Sequence, residues 1–192
     1  MTVGDALALV ESHAASFLGP VRGRASTSFL GAEPVEVLRF GPDPAGLVRY
    51  LTLGMSRAPM ADPAATVVPE AGPRAELLLS LHRACDGVAR ALAVLAASPS
   101  VEGLLVLPGA GLDLGQPLWD GAGFQAVLVG EPGGLVPDLA PDGVQFLPVF
   151  PMTPSEAAWK RVHGASALEQ LWLAQELDLR DPERRPAALP AR

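Results

Sequence analysis

The stretch YLTLGMSRAPM, residues 50–60, begins as a strand and ends as something else. Tyr50, Leu51, Thr52 and Leu53 suit a pleated, half-buried surface. Gly54 interrupts them, and the six residues from Met55 to Met60 follow neither strand nor helix periodicity. A strand that leaves through Gly-Met-Ser admits three readings: a catalytic turn, a binding loop or a corner of the fold.

Outward from that point the pattern organises itself. PVEVLRF, residues 34–40, alternates Val35, Val37 or Leu38, and Phe40 in strand fashion. GPDPAG at 41–46 is a dense turn signal, so PVEVLRF and LVRYLTLG form a predicted hairpin. Residues 56–73 hold four prolines and no period, which predicts a loop long enough for a functional or mobile role. RAELLLSL, residues 74–81, reads either as a strand or as the start of a helix. Residues 85–98 are predicted helical, with Val88, Leu92 and Leu95 on one stripe. VEGLLVLP at 101–108 and FQAVLVG at 124–130 read as buried strands. VQFLPVF at 144–150 reads as a third, and its Pro148 suggests an edge or a strand end.

Both ends of the chain read as helical. Val3, Leu7, Val10, Ala14 and Phe17 give an amphipathic opening helix that stops before Gly19-Pro20. Thr153-Pro154-Ser155-Glu156 carries an N-cap, a first-position proline and the third-position carboxylate of a capping box. A helix to about Val162 breaks at Gly164, and a last one spans 166–179. Trp159 and Trp172 are expected to face the core, Trp172 in phase with Leu168, Leu171 and Leu179. Residues 180–192, rich in proline, read as a flexible tail. The expectation is α+β: one domain over residues 1–179, with a mixed or mainly antiparallel sheet and helices packed on it.

Composition narrows the function classes. Of 192 residues 49% are hydrophobic and 18% charged, which suits a packed domain. A net charge of −7 argues against nucleic acid or an anionic membrane as partner. Cys85 is the only cysteine, so no internal disulfide forms. MTVGDALALVESHAASF has neither a basic n-region nor an uninterrupted apolar run, and the expected address is the cytoplasm.

The chemistry-bearing residues do not assemble into a site. LLVLPGAGLDLG starts like a dinucleotide fingerprint, but Gly115 is one position late and Pro117 stands where the phosphate-binding helix should run. Lys160, the only lysine, is expected on a helix far from any glycine-rich loop. His82 and Cys85 have ligand-like spacing but lack a second close pair, so no metal or cofactor is expected. Ser56 is the best nucleophile candidate, with His82 and Asp86 as imaginable partners. A G-x-S-x-G elbow, however, requires glycine where Ala58 stands.

The order of motifs is more informative than any one of them. A hairpin, a Gly-Met-Ser turn, a proline-rich stretch and P-R-A-E-L resemble the suppressor of fused domain family. PGAGLDLGQPL with FQAVLVGEP is similar to that family's Pro-Gly loop and next strand. VQFLPVFPMTPSEAAWKRVHGASALEQLW is similar to its closing strand, turn and short helices. The resemblance spans roughly residues 30 to 178. It implies an α+β domain without an established active site. In animals related domains bind and restrain a transcription factor. Bacterial single-domain relatives stand beside polymorphic toxins and are regarded as immunity proteins, and that stand-alone bacterial form is the nearer model.

With no catalytic set among the residues, the resemblance implies a non-enzymatic, protein-binding domain of the immunity type that neutralises a cognate toxin. A small hydrolase using Ser56 is the alternative. Gly54 is expected to hold a φ that glycine takes easily. Met55 is expected to pack under the turn, with Ser56 and Arg57 as its exposed part. Met55, Ser56, Arg57, Met60 and Arg74 are the candidate partner-binding residues.

Overall fold

The computed structural model describes residues 3–61, 72–140 and 143–190. Helix α1, Val3–Leu18, is followed by strands β1, Val21–Phe29, β2, Ala32–Phe40, and β3, Val48–Leu53. One 3-10 turn, Met55–Arg57, leads toward β4, Arg74–Leu81, and helix α2, Val88–Glu102. Strands β5, Gly111–Asp113, β6, Ala126–Val129, and β7, Val144–Met152, precede helices α3, Pro154–His163, and α4, Ala165–Ala174. The strands form one seven-stranded mixed sheet in the order β1-β2-β3-β4-β7-β6-β5. Only β4 and β7 run parallel. The fold is the expected α+β class, and residues 74–81, open between strand and helix, are a strand.

The sheet is covered on both faces because successive side chains of a strand point to opposite sides. Val37, Tyr50, Leu77, Val129 and Leu147 pack beneath α2. Leu38, Leu51, Leu78 and Phe146 pack on the opposite face with Val10 and Ala14 of α1. Ala126, Leu128 and Met152 pack with Leu168 and Trp172 of α4. The β2–β3 turn is held by Asp43, whose carboxylate accepts from the N–H groups of Ala45 and Leu47 and from Arg49.

Three local expectations change. β1 was not foreseen: five of its nine residues are exposed, so it shows no apolar alternation. It forms by pairing with β2. Residues 103–108 are not a strand. Helix α2 continues past Pro99, caps at Gly103 in the left-handed region, and sequence pairing resumes only at Gly109, which donates to Val129 O. β7 is central despite Pro148, because that residue sits where both ladders stop. Leu78 is its last partner on β4, and Val149–Val129 is the last pair toward β6.

The two C-terminal helices form as expected, with Thr153 accepting from Glu156 N and Glu156 from Thr153 N. Trp172 is buried, whereas Trp159 is half-buried and stacks on His163. The segment 180–192 is expected as a flexible tail; its described part, residues 180–190, is anchored at buried Pro182, Arg184 and Ala187, with most of its other residues exposed. Arg184 of that segment is buried, and its guanidinium pairs with both oxygens of Glu156 at 2.8 and 2.9 Å. It also donates to Pro151 O and sits 4.8 Å from the Phe124 ring centre. Ala187 N donates to Glu156 as well. A buried carboxylate needs such donors, and the tail supplies them.

Candidate partner-binding site

The corner at Gly54 is built by one buried carboxylate. The β3–β4 ladder ends at the pair Leu51–Leu78. Beyond it, Leu77 N donates to Thr52 Oγ1 instead of to a backbone carbonyl. Glu76, fully buried, accepts from Thr52 Oγ1 at 2.6 Å, Gly54 N at 2.8 Å, Ser56 N at 3.0 Å and Ser56 Oγ at 2.6 Å. Three of these donors converge on Oε1 and one on Oε2, so the buried carboxyl group is well supplied with hydrogen bonds. Arg74, two residues away and therefore on the same side of β4, donates to the carbonyls of Ser56 and Arg57. The 3-10 turn is thus held between an acid on its N–H end and a base on its carbonyl end.

Gly54 has φ +133, a conformation L side chains rarely adopt. A Cβ there would also meet Pro34 O at 3.3 Å and the Arg57 guanidinium at 3.4 Å. That guanidinium reaches back and donates to Pro34 O.

The predicted site residues therefore cluster, but they face inward. Met55 and Met60 are core residues beneath α2. Ser56, expected on the exposed side, is buried at 5% exposure because its hydroxyl and N–H both serve Glu76. Arg57 and Arg74 are half-buried and engaged with backbone carbonyls. What reaches the surface is a cleft of about 200 Å3, lined by Ala32, Val35, Arg57, Pro59, Met60 and Pro99 among others. Most of the predicted 56–73 loop, residues 62–71, lies outside the described residues.

The structure separates the imagined hydrolase partners. His82 lies at the far end of β4 from Glu76, about 20 Å away at roughly 3.3 Å per residue. Its Nε2 is 2.6 Å from Asp178, which Arg180 and His82 hold below the usual carboxylate range. Cys85 is buried, and burial pushes its thiol up. Among the described residues, no group of three or more His, Cys, Asp or Glu could hold a metal. The loop Gly109–Gly111 runs into β5, not into a helix. Lys160, expected far from it, packs against it: a Cβ on Gly111 would lie 3.3 Å from Nζ. Helix α3 crosses the β5 edge there, which spacing along the chain did not reveal.

One feature escaped the sequence reading. Val101, Leu104, Leu105 and Leu107 are exposed by 54%, 41%, 37% and 40%, while Val106 alone is buried. Val101 lies in the last turn of α2 and the three leucines follow its Gly103 cap, continuing in the chain from Pro99 and Ser100 at the cleft wall. The run was legible as apolar, and its apolarity was taken for burial. Trp119, in the segment between β5 and β6, is a core residue.

Comparison with known proteins gives a consistent result. The family model described as Suppressor of fused protein (SUFU) matches residues 31–185. Among solved structures, a suppressor of fused homolog from Neisseria gonorrhoeae FA 1090 superimposes with a TM-score of 0.74 at 18% identity. That match covers 98% of this chain and 100% of the homolog. The Sufu-Fu complex structure gives 0.65 at 13% identity, covering 96% of this chain and 91% of that one. Drosophila Suppressor of Fused gives 0.62 at 14% identity, covering 95% of this chain and 50% of its own. No curated protein matches the sequence.

Proposed function

The chain belongs to the suppressor of fused family, and we propose that it is a non-enzymatic protein-binding domain of the immunity type, acting in the cytoplasm to cover and neutralise a cognate toxin. The observation that carries this reading is the exposed apolar run Val101, Leu104, Leu105 and Leu107, which follows in the chain on Pro99 and Ser100 of the cleft wall. Contiguous exposed apolar surface beside a concave wall is what a partner's anchor residues require. One structural neighbour, the Sufu-Fu complex, adds support, being a relative found in complex with another protein.

Mechanistically, binding would bury the three leucines and exclude water from the cleft, and Glu33 and Arg57 would supply polar rim contacts. The test is titration against the product of the neighbouring reading frame, which this reading expects to be toxin-like. Leu104→Ser with Leu107→Ser should weaken the complex at least about tenfold, since burying a leucine is worth roughly 1.5–3 kcal/mol. The melting temperature should not change, because both side chains are exposed. No complex with that product removes the toxin reading; a complex indifferent to the double substitution removes this face from it.

A further inference from the structure

Strand β1 forms one edge of the sheet, and among the described residues its outer side pairs with no strand. An open nine-residue edge is a row of backbone donors and acceptors ready to accept another strand. Two observations give this edge a chemical preference. Gly23 is the register partner of Arg39 on β2, and its missing side chain leaves room for the arginine to lie across β1. A Cβ at Gly23 would lie 3.4 Å from Arg39 Nε and 3.5 Å from Nη2. The Arg39 guanidinium therefore projects toward the open edge.

Arg39 is exposed and, among the described residues, has neither a hydrogen bond nor an ion pair. Asp86 stands in the same groove, of about 340 Å3, without pairing to it. Arg22 is likewise exposed and unpaired, whereas Arg24 is engaged by Glu11 and Glu36 on the other face. No acidic residue occurs in β1. On a chain of net charge −7, this edge is locally basic.

We propose that the β1 edge is a second docking surface, independent of the leucine face, that takes an extended acidic segment of a partner protein as an eighth strand, with a carboxylate opposite Gly23 paired to Arg39. The spacing permits it. A strand added beside β1 stands two strand spacings, about 10 Å, from β2. An arginine crossing Gly23 and a glutamate reaching inward from the new strand meet across that distance. Small residues Gly23, Ala25 and Thr27 on the same face leave the approach open.

The probe is a nine-residue acetylated peptide alternating Thr or Val with Glu. It is compared with the same peptide carrying Gln for Glu, and with one N-methylated at every second residue. The expected result is slowed amide exchange at residues 21–29 and binding about tenfold tighter for the Glu peptide than for the Gln peptide, the worth of a charge-assisted hydrogen bond. Arg39→Gln should erase that difference with a nearly unchanged melting temperature, since the exposed guanidinium makes no hydrogen bond or ion pair among the described residues. The proposal fails if the Glu peptide leaves exchange at 21–29 unaltered, or if the N-methylated peptide binds equally well, which would mark charge attraction alone. It fails also if exchange slows with protein concentration without peptide, which would assign the edge to a second copy of this chain.

Discussion

Arg184→Met should destabilise the domain more than any surface substitution and release the C-terminal segment. Glu156 has no exposed surface, and its carboxylate accepts from Thr153 N, Trp172 Nε1, Ala187 N and two Arg184 nitrogens. Nε of Arg184 is, with Nε of Arg49 elsewhere in the fold, a buried side-chain nitrogen without a partner among the described residues. Removing the guanidinium leaves a buried carboxylate without its counter-charge, a loss of about 3–5 kcal/mol. Urea denaturation followed by tryptophan fluorescence measures it, and amide exchange across residues 180–190 reports the release. A double-mutant cycle with Glu156→Gln should show a coupling of about 2 kcal/mol or more, because the two side chains act as one unit.

The same pair sets a pH dependence. Burial alone would raise the Glu156 carboxyl, but Arg184 and the N–H groups of Thr153 and Ala187 outweigh it and hold it below its ordinary value of 4.5. A carboxyl depressed on folding contributes stability that is complete above the ordinary value and is lost as the pH falls toward the folded one. Wild-type stability should therefore decline below about pH 4.5, and Arg184→Met should flatten that decline. If Arg184→Met stays within about 1 kcal/mol of wild type with exchange at 180–190 unchanged, the buried pair is not what anchors the segment.

Other consequences are smaller and separate. Gly54→Val should cost more than about 1 kcal/mol in urea denaturation, since φ +133 is an outlier for a β-branched residue. Ser56→Ala should cost about 1–3 kcal/mol by leaving Glu76 one donor short, and a fluorophosphonate probe should leave Ser56 unlabelled; labelling would restore the hydrolase reading. Trp172→Ala should cost about 3–5 kcal/mol, and half-buried Trp159→Ala clearly less, so equal melting temperatures for the two would contradict the packing described for α4.

Much of the fold was legible because its signals are local. The β2–β3 hairpin is written in the turn GPDPAG, and the start of α3 in Thr153-Pro154-Ser155-Glu156, where cap and partner stand three residues apart. Gly54 was readable as a glycine that ends a strand. Neighbours along the chain suffice for each, since the contacts that stabilise them are made within a few residues. The apolar run at 101–108 was visible too, but whether it formed a strand depended on a ladder partner that sequence cannot supply.

The rest was decided by residues distant in sequence. β1 carries too few apolar side chains to announce itself and exists because β2 pairs with it. Glu76 stands in RAELLLSL, which reads either as a strand or as the start of a helix, and only the arrival of Gly54 and Ser56, 22 and 20 residues earlier, makes it the keystone of the corner. Ser56 was for that reason misread as exposed. Arg184 lies 28 residues from Glu156, and composition alone made its segment look free. A buried charge is tolerable only where the folded chain brings its partners, so the position of such a charge is a property of the tertiary structure and not of the local pattern.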